Sequence, residues 1–234
     1  MLRSWSLRIS LVALVLWVLG PLLAFLRVLP GMQAMLLFSL AGLVGLVGIV
    51  AGIISAVRGK VAPGITAVAL GLLALGGVLT PAFAGGGKPP INDISTDLQD
   101  VPAFTHARTL PENAGRDLSY PEDFKPVMTH FYADLKSLKL AEPPDAVFER
   151  AVTLARAHPG WTVTHVDPRA RILEGVAESR VFRFRDDFVV RVRPEEGGGT
   201  KVDMRSKSRV GRGDLGANAA RMHAFLQALG GAGR

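Results

Sequence analysis

The chain has 234 residues, a formal net charge of +7 and 49% hydrophobic residues, and these properties are unevenly spread along it. Its length accommodates one membrane region and one domain of ordinary size. The absence of cysteine excludes disulfides, thiolate metal sites and a cysteine nucleophile.

The charged residues divide the chain near residue 90. All 20 Asp and Glu residues lie at Asp93 or later, whereas the first 87 residues carry only five charged side chains, all basic. The net charge is therefore +5 in the first part and +2 in the rest, where 22 Lys and Arg oppose 20 acids. Because most of the excess belongs to the apolar part, the charge does not indicate a nucleic-acid-binding protein.

Three apolar segments without an interior charge follow one another at about 9–26, 33–57 and 61–83. A bilayer core about 30 Å thick requires roughly 20 apolar residues in a helix, and each segment approaches or exceeds that length. A buried helical hairpin of a soluble protein would show a polar stripe, which these segments lack. We therefore predict a membrane region at residues 1–84 with three transmembrane helices, whose partner is the lipid bilayer.

The short loops predict the orientation of these helices. Arg3 and Arg8 lie on the same side as Arg58 and Lys60, whereas the opposite loop contains Arg27. Basic residues favour the cytoplasmic side, so the N-terminus is expected in the cytoplasm. After three crossings the C-terminal domain lies on the far side, which in a Gram-negative bacterium is the periplasm. The expected location is thus the bacterial inner membrane.

Glycines and prolines at residues 85–90 predict a linker, which is followed by a soluble domain at residues 91–234. Residues 91–126 contain many Pro, Asp and Thr without a clear period, so an irregular segment draped over the domain is expected. A short helix is predicted over Val127–Leu138. A second helix is predicted over Asp145–Ala157, where apolar residues form one stripe.

Alternating, β-rich sequence then predicts four antiparallel strands. They are Trp161–Val166, Arg171–Ser179, Val181–Arg193 with a break at Asp186 and Asp187, and Lys201–Ser208. A final helix is predicted from Asp214 to about Leu229. The order of helix, consecutive strands and helix indicates an α+β two-layer domain, in which helices flank an antiparallel sheet.

Alternation along the last two strands assigns their side chains to two faces. The inner, apolar face is predicted to contain Phe182, Phe184, Phe188, Val190, Val192, Val202 and Met204. The outer, mainly basic face is predicted to contain Arg183, Arg185, Arg191, Arg193, Lys201, Asp203, Arg205 and Lys207. This outer face is either a solvated surface whose arginines pair with acids of the domain or a surface for an anionic ligand.

The stretch from Arg205 to Arg221 joins the last strand to the last helix and is dense in polar residues and glycine. It contains G-x-G-x-x-G, but a dinucleotide fold needs a further strand ending in an acid, which residues 222–234 do not provide. No cofactor is therefore expected. Basic side chains beside a helix start favour anions, whereas Asp214 is placed to cap that helix. The candidate ligand-binding residues are Arg205, Ser206, Ser208, Arg209, Gly211, Arg212, Gly213, Asp214, Asn218 and Arg221.

Three stretches carry a resemblance to a known family: Ile91–Asp97, Phe184–Asp187 and Arg205–Arg221. With them, the chain resembles an uncharacterised bacterial family, domain of unknown function 1499 (DUF1499), over Pro89 to about Leu229. The resemblance implies N-terminal membrane helices in many members. It implies no catalytic residues, because the family has no established activity.

Two classes of function fit these features. The histidines are scattered singly without metal-ligand spacing and no G-x-S-x-G is present, so no metal site or catalytic residue is predicted. The favoured function is a membrane-anchored extracytoplasmic binding or accessory domain that recognises an envelope protein, a lipid headgroup or another anionic ligand. The alternative is an enzyme with its site at the Arg205–Arg221 loop and helix start, where Arg209, Asp214, Asn218 and Arg221 would act.

Overall fold

The structure, a computed structural model, describes residues 4–231 apart from the side chains of Ala82 and Ala84. Arg3, which enters the orientation argument, and the predicted end of the domain at residues 232–234 lie outside the described residues. Contacts divide the chain into two compact units. One extends to Gly86 and includes Arg180–Arg183, and the other comprises Gly87–Ser179 and the chain from Phe184 onward.

Three apolar helices form the first unit. They are α1 (Trp5–Phe25), α2 (Gly31–Val57) and α3 (Val61–Ala84). Each is long and apolar enough to cross a membrane, as predicted. Their bounds differ from the predicted ones by a few residues at most.

Small residues bring the backbones of α2 and α3 together. A Cβ atom added at Gly52 would lie 2.7 Å from the carbonyl oxygen of Gly64, and one added at Gly45 would lie 2.9 Å from that of Gly71. Such close approach is open only to residues without a large side chain. Gly48 instead faces α1, because its added Cβ would meet Ser10 Oγ.

The second unit contains a six-stranded antiparallel sheet with three α-helices. Its elements are β1 (Asp93–Ser95), α4 (Phe124–Phe131), β2 (Leu138–Leu140), α5 (Pro144–Ala157), β3 (Trp161–Asp167), β4 (Ile172–Glu178), β5 (Arg185–Pro194), β6 (Thr200–Ser208) and α6 (Ala217–Gly231). The strand order is β1-β6-β5-β4-β3, and β2 also pairs with β6. The predicted fold class, apolar helices followed by an α+β domain with an antiparallel sheet, is confirmed.

Several predicted boundaries were wrong. Helix α4 begins before Pro126, because proline is tolerated in the first helical turn, where its missing N–H would have no partner. The predicted helix also covered Leu138, which belongs to strand β2. Strand β5 runs unbroken through Asp186 and Asp187, which pair with Ser208 and Lys207.

The chain instead turns before β5. Arg183 has a positive φ of 56°, which a regular strand does not contain. Phe182 and Phe184 therefore precede the strand and do not belong to its inner face. The other five predicted inner residues, Phe188, Val190, Val192, Val202 and Met204, are all buried in the main core.

Helices α5 and α6 cover that inner face. Val147 and Ala151 of α5, and Met222 and Phe225 of α6, are buried in the same core cluster. Trp161 contacts Phe225, with ring centroids 5.2 Å apart. The apolar stripes of the two helices thus pack on the inner face of the sheet and complete the core.

The outer face of the sheet is covered, not solvated. Phe104, Ala107 and Leu118 from the segment before α4 form a second small apolar cluster with Val189 of β5. Buried Glu174 of β4 accepts hydrogen bonds from the backbone N–H groups of this segment at 2.7–2.9 Å. The segment from β1 to α4, expected to be irregular, is therefore a third layer, and its short strand β1 was not predicted.

Candidate functional site

A buried polar cluster joins β6 to α6 on the inner face of the sheet. Asn218 Oδ1 accepts hydrogen bonds from Ser206 Oγ at 2.7 Å and from Arg221 Nη1 at 2.6 Å. The Nδ2 atom of Asn218 donates to Ser208 Oγ at 3.0 Å. Arg221 Nη2 pairs with Asp186 Oδ2 at 2.6 Å. These contacts satisfy the polar groups of Ser206 and Asn218, both fully buried.

Asp187, on the outer face of β5, binds a second set of arginines. Arg209 donates to Asp187 Oδ1 from Nη2 at 2.7 Å, and Arg116 Nη1 lies 2.9 Å from Asp187 Oδ2. Arg116 Nη2 also donates to the carbonyl oxygen of Ser208 at 2.9 Å. Because adjacent strand residues point to opposite faces, the two neighbouring aspartates bind different arginines.

Arg205 is a buried arginine on the outer face. Its Nε and Nη2 atoms donate to both carboxylate oxygens of Asp93 at 2.9 and 2.8 Å, and only 2% of the residue is exposed. The guanidinium carbon lies 4.6 Å from the ring centroid of Phe104 and 5.3 Å from that of Tyr120. This bidentate pair with aromatic stacking is the geometry that arginine favours and lysine cannot reproduce.

The glycine loop, defined here as residues 209–216, packs on the chain that leads into β1. A Cβ atom added at Gly213 would lie 3.0 Å from Pro90 Cα, and one added at Gly216 would lie 3.4 Å from Lys88 Cγ. Asn92 Nδ2 donates to the carbonyl oxygen of Gly211. The glycines therefore serve close contact with this segment, and no phosphate is needed to account for them.

Asp214 caps α6 with its side chain, although the helix begins at Ala217 and not at Asp214 as predicted. Its Oδ2 accepts a hydrogen bond from the N–H of Asn218 at 2.8 Å, and its Oδ1 accepts one from the N–H of Gly216 at 2.9 Å. Burial raises the pKa of the Asp214 carboxyl, although these hydrogen bonds partly offset the rise. Because the carboxylate occupies the donors at the helix start, an anion would have to displace it.

The ten candidate residues thus separate into three groups. Ser206, Ser208, Asn218 and Arg221 form the inner cluster, while Arg205 and Arg209 pair with aspartates elsewhere. Gly211, Arg212, Gly213 and Asp214 belong to the glycine loop. Of the four candidate arginines, only Arg212 is exposed. The structure therefore does not bring the arginines together around one anion site.

A further charged network lies at the other end of the sheet, where basic side chains of the outer face pair with acids of the domain, as one of the two interpretations of that face expected. Asp203 Oδ2 lies 2.8 Å from Arg193 Nη2 and 3.1 Å from Arg191 Nη2. Asp97 Oδ2 lies 2.7 Å from Lys201 Nζ. The alternation of charges along the two strands placed these residues on one face, but their acidic partner Asp97 lies more than 90 residues earlier in the chain.

The inner cluster offers little access for chemistry. Asp186 is 5% exposed, and Ser206 and Asn218 are not exposed, so a substrate would have to displace packed atoms to reach them. Among residues 4–231, no group of three or more His, Asp or Glu side chains is arranged to hold a metal ion. The polar contacts of the inner cluster connect the last strand, β6, to the last helix, α6, and to the chain that leads into β1.

Comparisons with known proteins place the chain in a family. A model described as protein of unknown function (DUF1499) matches residues 93–229, from the first strand to the last helix. No curated protein and no solved structure gave a match. The matched part covers more than half of the chain and includes both arginine-bound aspartates of β5 and the glycine loop. The chain therefore belongs to the DUF1499 family, here preceded by three apolar helices.

Proposed function

We propose that the protein is a membrane-anchored accessory domain that recognises an envelope component on the extracytoplasmic side of a bacterial inner membrane. Residues 1–84 would form the anchor, residues 85–90 a linker and residues 91–234 the periplasmic domain. The helices would hold this folded domain at one membrane, and the domain would act by binding a protein, a lipid headgroup or another anionic ligand.

The distribution of basic residues between the helices carries this proposal. Arg58 and Lys60 flank the short turn between α2 and α3, whereas the turn between α1 and α2 contains Arg27. Arg8 lies in the first turn of α1, on the same side as the α2–α3 turn. The excess of positive charge on that side supports a cytoplasmic N-terminus, and three crossings by the helices would then place the domain on the other side.

The burial and pairing of the acidic side chains favour a binding function over a catalytic one. The acids near the Arg205–Arg221 stretch, Asp93, Asp186 and Asp187, are buried and paired with arginine or lysine. A general acid or base needs contact with a substrate proton, which such pairing opposes. The side chains of this stretch that remain exposed lie mainly in the glycine loop. There they are available to contact another molecule.

Reporter fusions test the proposed topology. A reporter that is active only outside the cytoplasm should be active when fused after Arg234, and a cytoplasm-only reporter should be inactive there. The matched control places the same reporters at Gly59, in the turn between α2 and α3, where the opposite result is expected. A cytoplasmic signal after Arg234 together with an external signal at Gly59 would reverse the orientation.

A further inference from the structure

The glycine loop exposes apolar side chains that the core does not use. Val210 is 44% exposed and Leu215 is 56% exposed. Arg212 lies between them in sequence and is also exposed. A short loop that presents two aliphatic residues and a cation to the outside resembles the composition of segments that lie at membrane surfaces, where apolar atoms enter the headgroup boundary and basic groups remain outside.

The fold holds this loop in an unfavourable conformation. Leu215 adopts a positive φ of 54°, a left-handed conformation that is sterically unfavourable for a residue with a Cβ, and Gly211 and Gly216 have φ of 88° and 84°. The Asn92 side chain and the Asp214 cap fix the loop at both ends. Because Leu215 is exposed, this strained conformation does not serve packing in the core. A role at the surface has to account for it.

The chain connection limits how far this loop can lie from the end of α3. The loop packs on Lys88 and Pro90, which follow the last residue of α3, Ala84, by four and six residues. Six extended residues span at most about 20 Å. Lys88 is itself exposed and adds a second cation beside the loop.

From these observations we propose that Val210, Arg212 and Leu215, with Lys88, form a contact surface for the anionic lipid bilayer that the helices cross. Anionic headgroups complement the two cations, and the headgroup boundary accepts the two aliphatic side chains. This inference deepens the proposed membrane anchoring and rests on it, but it does not depend on which side of the membrane carries the domain. Contact would hold the domain in one orientation at the membrane surface.

The absence of cysteine allows a direct test on the full chain. Single variants Val210→Cys and Leu215→Cys are labelled with a thiol-reactive fluorophore, and the protein is placed in nanodiscs whose lipids carry a nitroxide quencher near the headgroup. The matched control is Glu196→Cys, an exposed position in the turn between β5 and β6. It lies at the opposite end of β6, roughly 25 Å from the glycine loop along the strand.

Labels at positions 210 and 215 should be quenched in nanodiscs containing phosphatidylglycerol, and the label at position 196 should not. In nanodiscs of phosphatidylcholine alone the quenching at 210 and 215 should fall. Adding Arg212→Ser should lower the ratio of docked to undocked loop about fivefold in the anionic discs, the effect of one basic residue near such a surface. Arg169→Ser, which removes an exposed arginine from the turn between β3 and β4, should leave the ratio unchanged.

Equal quenching at all three positions, or none at 210 and 215, would overturn the lipid contact and leave the loop available to a protein partner. Equal quenching in anionic and neutral discs would overturn the role assigned to the cations. Because both faces of a nanodisc are open, none of these results depends on orientation. A reversed topology in the reporter experiment would therefore change the proposed location without deciding the lipid contact.

Discussion

Buried ion pairs hold three of the four arginines that sequence reasoning assigned to a ligand site, Arg205, Arg209 and Arg221. Arg205 shows this best, because it is the largest side chain that is fully buried in the structure's described residues. Its guanidinium donates to Asp93, to Pro102 O and to Leu118 O. Arg205 therefore links β6 to β1 and to the segment between β1 and α4 that covers the outer face of the sheet. Its charge is balanced by Asp93 inside the protein.

Replacing Arg205 should destabilise the second unit strongly. In Arg205→Met the Asp93 carboxylate loses its bidentate partner, although Lys207 Nζ remains 2.9 Å away. Removing one member of a buried pair costs about 3 kcal/mol, the lower end of the usual range, because this second cation remains. Denaturant unfolding of the full chain in detergent, followed by the near-ultraviolet signal of the domain, measures the loss.

The control for this prediction is Arg169→Met, an exposed change that should stay within about 0.5 kcal/mol of wild type. Asp93→Leu combined with Arg205→Met should be less destabilised than the sum of the two single variants, because the carboxylate and the guanidinium that bind each other are then removed together. Strictly additive losses would show that the two side chains act independently and would contradict the pairing argument.

At the scale of elements, the covering segment between β1 and α4 is held to the sheet by charge as well as by apolar contact. Asp97 Oδ1 accepts hydrogen bonds from the N–H groups of Gln99 and Asp100 at 3.0 Å, and its Oδ2 binds Lys201. Burial opposes its ionisation, but these hydrogen bonds prevail and lower the pKa of Asp97 to about 2. The carboxylate thus connects the segment to β6 only while it is charged.

The stability that Asp97 provides should disappear in acid. Because the native pKa is lower than the ordinary value of 3.8, the contribution is complete above that value and is lost as the pH falls towards 2. Asp97→Asn should therefore cost about 1 to 2 kcal/mol at neutral pH, after allowance for solvent screening, and much less near pH 2. Glu112→Gln, an exposed change, serves as the control, and unfolding midpoints measured across this range provide the comparison.

A cost of Asp97→Asn that stays constant from neutral pH to pH 2 would contradict this account. Such a result would mean that the asparagine side chain disturbs packing and that the charge of Asp97 contributes nothing. The Glu112→Gln midpoint should follow that of wild type at every pH.

The elements also show which parts of the fold could be predicted. Helix α5 and strands β3, β4 and β6 have strong local periodicity, and their predicted bounds differ from the observed ones by one residue at most. Strand β2 has three residues, and its conformation depends on pairing with β6, which is more than 60 residues away. Local pattern carries no information about such a partner.

The same reason explains the unpredicted parts of the site. Two adjacent aspartates in a strand usually mark a break, but Asp186 and Asp187 are stabilised by Arg221 and Arg116, which lie 35 and 71 residues away in the chain. The cap at Asp214 was predictable because its partners are two and four residues away. Local contacts could thus be inferred from the sequence, whereas remote ion pairs could not.

At the scale of the whole molecule, the two compact units rest on different forces. The three apolar helices pack through glycine and alanine, as helices do in lipid, where there is no hydrophobic drive for helix association. The second unit has its own apolar core between the sheet and helices α5 and α6. A change in helix packing should therefore leave the protection of the sheet intact.

Glycine substitutions in the helices test this separation. Gly52→Ala adds a Cβ atom 2.7 Å from the carbonyl oxygen of Gly64 and 2.9 Å from the backbone nitrogen of Val68, so α2 and α3 must move apart. Overpacking of this kind costs about 1 to 3 kcal/mol. Gly76→Ala is the matched control on α3, because nothing lies within 4 Å of its added Cβ.

The midpoint of helix unfolding in an SDS titration, followed by circular dichroism, should fall for Gly52→Ala and remain near wild type for Gly76→Ala. Hydrogen exchange in peptides covering β5 and β6 should be equal in all three proteins. Faster exchange in those strands for Gly52→Ala alone would show that the fold of the second unit depends on the packing of the helices, and the two units would then have to be treated as one cooperative structure.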